Sequence, residues 1–192
     1  MIINTLPPKK LHHNLKRQTF VSGEFILLKP NSYWLLQQGI VKSCTYTEEG
    51  TPVTLGYWGV DDLIGQPLSL VYPYKIECLT PVEALCIPIN QTHRITNLIQ
   101  RHIQQTEEIL YILRSDKVGQ RLRGILVWLG HKFGQEIEIG HLIDLRLTHQ
   151  DLAEIIGATR VTVTKIVNQL EQEGFLSRPH RNTFVISKLQ EI

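Results

Sequence analysis

The stretch Thr148-His149-Gln150-Asp151-Leu152-Ala153-Glu154-Ile155-Ile156-Gly157-Ala158-Thr159-Arg160-Val161-Thr162-Val163-Thr164-Lys165-Ile166-Val167-Asn168-Gln169-Leu170 decides how this chain is read. A threonine hydroxyl can accept one of the backbone N–H groups that a helix leaves unpaired at its start. Thr148, with Asp151 three residues on, therefore predicts one helix, and Thr159 predicts a second. Gly157 supplies the turn between them. At about 100° per residue, Val163, Ile166, Val167 and Leu170 form one stripe of the second helix, predicted to pack on Leu152, Ile155 and Ile156. Val161, Thr164, Lys165 and Asn168 point the other way, and Arg160 lies at the exposed first turn. A helix that only packs against a neighbour has little use for an outward valine, whereas a helix in a DNA major groove can press it against a thymine methyl. The expectation is a helix-turn-helix that reads double-stranded DNA, the alternative being a purely structural helical pair.

Working outward, Glu171-Gln172-Glu173-Gly174-Phe175-Leu176 ends the second helix at a glycine, as a left-handed cap requires. Ser177-Arg178-Pro179-His180-Arg181-Asn182-Thr183-Phe184-Val185-Ile186 then reads as strand, turn, strand, a wing. Upstream, a proline-free segment from approximately Gln91 to Leu129 predicts a long helix. Ile99, Ile103, Thr106, Leu110, Leu113 and Lys117 alternate by four and three along it, the spacing of a coiled-coil seam. A homodimer seam is expected there, while packing of the whole helix on its own domain stays open. From about Phe20 to Pro88, short apolar runs broken by glycine, proline and turn residues favour an antiparallel β-barrel or roll. Glu48-Glu49-Gly50 marks a hairpin turn between 40–47 and 51–57. On these runs alone, any small β-sandwich or a cupin fits equally.

Taken together, the run from Thr148 to Leu170 resembles the helix-turn-helix of the cyclic-AMP receptor protein/FNR (Crp/Fnr) family. Thr148, Asp151, Leu152, Ala153, Gly157, Thr159, Arg160, Thr162 and Val163 match its motif, and Lys165 stands where the motif ends in arginine. The resemblance implies an α+β chain: an N-terminal cyclic-nucleotide-binding-like β-roll (jelly roll) over 1–90, a long dimerisation helix over 91–129, and a C-terminal winged helix-turn-helix over 130–192. Gly23-Glu24 and Gly59-Val60-Asp61-Asp62-Leu63-Ile64-Gly65 resemble that roll's structural turns. It further implies a two-fold dimer through Ile99, Ile103, Thr106, Leu110 and Leu113, with RNA polymerase open as a further partner.

Roles carry over where residues match. By resemblance, Arg160, Val161, Thr164 and Lys165 read bases, Arg160 by presenting its planar fork to guanine O6 and N7. Thr148, His149, Gln150, Thr159, Thr162, Arg178 and Arg181 hold phosphates, although capping alone accounts equally well for the threonines. Val161 replaces the glutamate common in the family, so a TGTGA-type half-site is not expected. Arg160-Val161 within Thr159–Thr164 is similar to the recognition helix of the cyanobacterial nitrogen-control regulator, which favours GTA/TAC half-sites. The cyclic-nucleotide pattern fails: Gln66-Pro67-Leu68-Ser69 follows Gly65, and Tyr72-Pro73 stands where an Arg-Ser pair would grip a cyclic phosphate. Cyclic AMP and cyclic GMP are thus not expected, the same gap weakens 2-oxoglutarate, and the effector is left open. Tyr72, Tyr74, Lys75 and Arg114 are candidates for a remodelled effector pocket, an aromatic core being the alternative for the tyrosines.

Composition agrees. The chain has 192 residues, 42% hydrophobic and 20% charged, with formal net charge +2. These values describe an ordered protein rather than a disordered one. No apolar run reaches the ~18 residues of a membrane span and no secretory signal is visible, so a cytoplasmic location is expected. Residues 141–192 carry six Lys/Arg and six Asp/Glu, a neutral balance that predicts modest non-specific DNA affinity. Glu171 and Glu173 are placed at the far end of the recognition helix, away from the DNA face. Cys44, Cys78 and Cys86 sit singly on predicted strands and are read as small buried hydrophobes; a Cys78–Cys86 link is disfavoured in a reducing cytoplasm. The N-terminal region has no cysteine for an iron–sulfur cluster, and His12-His13 has no evident third metal ligand, so no cofactor is expected. A cupin-like enzyme would need about two or three histidines and a carboxylate around a metal, yet residues 4–88 hold only His12 and His13. No hydrolase or phosphate-loop motif appears either.

Overall fold

A computed structural model describes residues 15–180 and 182–187. Arg181 and the His12-His13 pair, both singled out above, lie outside the described residues. Two compact units pack separately. One comprises the described residues up to Tyr46 together with Leu55–Gln105, and the other Thr47–Thr54 together with the described residues from Thr106 onward.

The N-terminal strands are β1 (Lys16–Phe20), β2 (Ser32–Gln38), β3 (Val41–Tyr46), β4 (Pro52–Trp58, of which Leu55–Trp58 fall in the first unit), β5 (Leu63–Ile64), β6 (Lys75–Cys78) and β7 (Val82–Pro88). They form two antiparallel sheets, ordered β1-β7-β2-β5 and β4-β3-β6. The hairpin at Glu48-Glu49-Gly50 forms as the sequence predicts, with Gly50 N–H donating to Thr47 O at 2.9 Å. Strand period explains the two cores. On β2, Trp34 and Leu36 join Phe20, Val41, Trp58, Ile76 and Val82 between the sheets, while Tyr33 and Leu35 on the opposite face join Leu85, Ile87, Ile95 and Leu98. A strand buried on both faces reads as a continuous apolar run, which is how 33–36 reads. Cys44 and Cys78 are buried, Cys86 is half-buried, and none of the three is in a disulfide; burial pushes the Cys78 thiol up to about 11.

An unbroken helix over 91–129 is not what forms. A 3₁₀ turn over Ile89–Arg94 leads into α1 (Thr96–Leu113), and α2 (Val118–Phe133) follows after a break. The cause is local chemistry that the apolar spacing hides. Ser115 and Asp116 are weak helix formers that favour side-chain hydrogen bonds, and Ser115 Oγ donates to Gln120 Oε1 at 2.7 Å. Lys117, extended at φ −90° and ψ 120°, becomes the cap of α2 rather than the last residue of the seam. The expected linker 91–129 therefore comprises two helices, the second continuing to Phe133.

The second unit adds β8 (Gln135–Ile137), β9 (Gly140–Ile143), α3 (His149–Ile156), α4 (Arg160–Gln172), β10 (Leu176–Ser177) and β11 (Phe184–Ile186). Its sheet runs β10-β11-β9-β8. The wing predicted from Ser177 to Ile186 is β10 and β11, paired Leu176 to Ile186 and Ser177 to Val185. The β8–β9 hairpin that extends this sheet was not anticipated. Leu122, Ile125, Leu126 and Leu129 of α2 are buried with Leu152, Ile155 and Ile156 of α3 and Val163, Val167 and Leu170 of α4. Each such aliphatic side chain contributes roughly 1.5–3 kcal/mol by leaving water. Among the described residues no helix is long and apolar enough to cross a membrane.

Candidate nucleic-acid interface

Both helices of the pair start where their threonines predict. Thr148 Oγ1 accepts from Asp151 N–H at 3.1 Å while Asp151 Oδ2 accepts from Thr148 N–H at 2.9 Å, a reciprocal capping box. Thr159 Oγ1 accepts from Thr162 N–H at 3.1 Å. Gly157 sits at φ 63° and ψ 51°, a left-handed conformation that closes α3 and turns the chain toward α4. Gly174, at φ 70°, ends α4 as expected, with Phe175 N–H donating to Leu170 O at 3.0 Å. That bond folds the chain back along the helix and sets the wing beside it.

The faces of α4 separate as predicted. Val163, Val167 and Leu170 are buried and Ile166 is half-buried, whereas Arg160, Lys165 and Asn168 are exposed and Val161 is 64% exposed. Thr164 departs from this pattern. It is half-buried, its hydroxyl donates to Arg160 O at 2.9 Å, and the same oxygen lies 2.8 Å from His149 Nδ1. Thr162 is likewise half-buried, its hydroxyl 2.9 Å from that of Thr159. Gln150, exposed on the first turn of α3, donates to Glu154 Oε1 at 3.2 Å.

An open cleft of about 710 Å³ runs between these helix starts and the wing, lined among others by His149, Arg160, Glu171, Arg178, His180 and Asn182. Glu171 is thus on the candidate face, contrary to its expected place away from it. The Gly174 turn brings Arg178 of the wing beside it. Arg178 Nε donates to Glu171 Oε2 at 3.1 Å, Nη2 donates to the same oxygen, and Nη2 donates to Asn168 Oδ1 at 3.0 Å. The arginine holds the Glu171 carboxyl below the usual carboxylate range. Burial, and then the nearby Arg178 and Arg160 charges, push the His149 imidazole below its ordinary value, so it is neutral at pH 7. No sequence periodicity marks the Glu171–Arg178 pair, whose partners are seven residues apart across a turn.

The other predicted sets fare differently. On α1, Ile103 and Leu110 are 53% and 54% exposed, Thr106 is exposed, and Ile99 and Leu113 are half-buried. The candidate effector tyrosines and Lys75 do not gather in one pocket. Tyr72, preceding Pro73 through a cis bond, is 93% exposed; Tyr74 packs against the inter-sheet core; and Lys75 lies outward over the rings of Phe25 and Tyr46. Burial raises the Tyr74 phenol well above its usual range. Strand alternation sends neighbouring residues to opposite faces, which separates Tyr74 from Lys75. Arg114 is exposed just beyond α1. Among the described residues no cluster of histidine, cysteine and carboxylate side chains could hold a metal ion.

Comparison with known proteins agrees with this geometry. The model of the Crp-like helix-turn-helix domain matches residues 120–192. The regulatory protein CysR of Synechococcus elongatus is 41% identical over 160 residues, covering 81% of this chain and 76% of that protein. The global nitrogen regulator of Nostoc sp. is 33% identical over 173 residues, covering 81% of this chain and 76% of that protein. A solved Crp/Fnr-family transcriptional regulator from Thermus thermophilus has a TM-score of 0.75 at 22% identity, covering 91% of this chain and 94% of that one. A cyclic nucleotide-binding domain containing protein from Listeria monocytogenes has a TM-score of 0.77 at 14% identity, covering 90% and 89%. These last two likenesses establish the fold, a cyclic-nucleotide-binding-like β-roll followed by a helix-turn-helix, as the sequence predicts.

Proposed function

The chain belongs to the Crp/Fnr family of transcription regulators, and from that membership we propose that it binds a near-palindromic double-stranded DNA site as a homodimer. One observation carries the reading. α4 buries an aliphatic stripe while its open N-terminal end presents Arg160, Val161 and Lys165 to solvent beside a wing. A helix so presented enters a major groove with its first turns against the bases.

Arg160 is assigned to a guanine through O6 and N7, Lys165 to a second base acceptor, and Val161 with Thr164 to the neighbouring base edges. Thr148, His149, Gln150, Thr159 and Thr162 line the helix starts where phosphates pass, and backbone N–H groups there favour anions. Arg178 reaches a phosphate through Nη1, since Nε and Nη2 are held by Glu171 and Asn168. Arg181 is assigned to a phosphate from its place in the sequence of the wing. Ile99, Ile103, Thr106, Leu110 and Leu113 form the dimer seam, supported by the exposure of Ile103 and Leu110 on a helix that buries Leu98, Ile109 and Ile112. The functional division is a roll over 1–90, a dimerisation region over 91–129 and a DNA-binding domain over 130–192. A cyclic nucleotide is not assigned as the effector, since Tyr72-Pro73 offers no guanidinium to a cyclic phosphate.

Selection of bound DNA from a random pool tests this. Enrichment of a two-fold site, with half-sites about one helical turn apart, is the expected result. Enrichment of a lone half-site, or of nothing, would refute it.

A further inference from the structure

We propose that Thr164 reads DNA through its methyl group alone, and that with Val161 it forms an apolar strip recognising thymine 5-methyl groups, held in place by His149. This rests on the reading above, in which α4 enters the major groove.

The hydrogen bonds of Thr164 carry the proposal. A threonine hydroxyl has one proton, and here it goes to Arg160 O at 2.9 Å. The contact with His149 at 2.8 Å must then take its proton from the imidazole, with Nδ1–H donating and the threonine oxygen accepting. A neutral imidazole provides that donor as one tautomer, and burial beside two arginines keeps His149 neutral. The polar end of Thr164 is therefore occupied on the protein side, which leaves its methyl as the group it can offer to a base. Val161 lies three residues earlier, on the same side of α4, and is 64% exposed. In the major groove only thymine offers an apolar group to such a strip. His149, on the first turn of α3, is a positioning residue that locks Thr164 in the rotamer presenting the methyl.

The test uses the full chain and the DNA site it selects, with half-site thymines replaced singly by deoxyuridine, which lacks only the methyl. Burial of one methyl corresponds to about a fourfold preference for thymine. Wild type and Thr164→Val are each expected to show that preference at the same position, because both keep the methyl there. Thr164→Ser, which keeps the hydroxyl, is expected to lose it, and 5-methylcytosine is expected to outbind cytosine for wild type and Thr164→Val but not for Thr164→Ser. Loss of the preference in Thr164→Val with retention in Thr164→Ser would overturn the proposal, as would a wild type indifferent to every deoxyuridine while binding its site tightly. That second outcome leaves the DNA-reading function standing; failure to select any site removes both.

Discussion

Replacing Glu171 by glutamine tests the electrostatics of the proposed DNA face most directly. In the structure Arg178 stands in the cleft with its charge offset by the adjacent carboxylate. Glutamine keeps an oxygen that can accept from Arg178 Nε and removes only the charge, so the wing stays placed while one positive charge per protomer is unmasked. Each phosphate neutralised adds about 0.9 to the slope of log K against log salt, so two half-sites should steepen it by about 1.8. Between about 50 and about 200 mM salt, a fourfold change, the variant should lose about twelvefold more affinity than wild type, and bind tighter at the lower salt. Fluorescence anisotropy on the selected site across a salt series measures this. Thermal stability serves as control. The pair is roughly one third exposed, at 29% and 36%, so its loss should cost no more than ~1 kcal/mol. An unchanged slope in a stable variant would show that Arg178 is nowhere near a phosphate and would refute the placement of the wing on DNA.

Arg160→Ala should cost ~1–3 kcal/mol on the selected site and relax preference at one base pair; equal loss on all sequences, read by competition binding, would make it a phosphate contact. Leu110→Lys places charge on a side chain already 54% exposed, so the monomer should fold while the dimer weakens at least about a hundredfold by sedimentation, and an undiminished dimer would move the seam elsewhere. His149 should titrate below 6.5 by NMR. Because the folded state then binds fewer protons than the unfolded one, its contribution to stability is present above that value and lost as pH falls through the lowered one. His149→Gln should flatten that part of the pH profile, and an unaltered profile would contradict the assigned environment.

What was legible in the sequence was what is local. Thr148, Asp151, Thr159, Gly157 and Gly174 do their work within four residues of themselves, and all five adopt the caps and turns their chemistry dictates. Val163, Val167 and Leu170 are buried because helical period alone fixes their direction. The break at Ser115-Asp116 escaped because the four-and-three spacing of the seam carries across it from Leu113 to Lys117, although Lys117 is itself polar, and the side chains that disfavour the helix lie between the seam positions. The Glu171–Arg178 pair depends on a turn geometry that folds two distant charges together, which no linear spacing announces. Tyr72, Tyr74 and Lys75 are neighbours in sequence, yet an exposed loop followed by strand alternation sends them to three different environments.

The charge balance and the proposed apolar strip have a common consequence for recognition. A DNA-binding segment with equal numbers of acidic and basic residues, whose wing arginine is offset by Glu171, draws less of its binding free energy from phosphates than a basic domain would. Affinity must then come largely from the base edges touched by Arg160, Val161, Thr164 and Lys165, and these are few. Doubling them through a two-fold dimer doubles the base-edge contribution along with the phosphate one, so the free-energy gap between specific and non-specific binding widens. On this reading the exposed Ile103 and Leu110 of α1 matter to sequence discrimination as much as α4 does, and a monomeric variant should lose its preferred site well before it loses DNA.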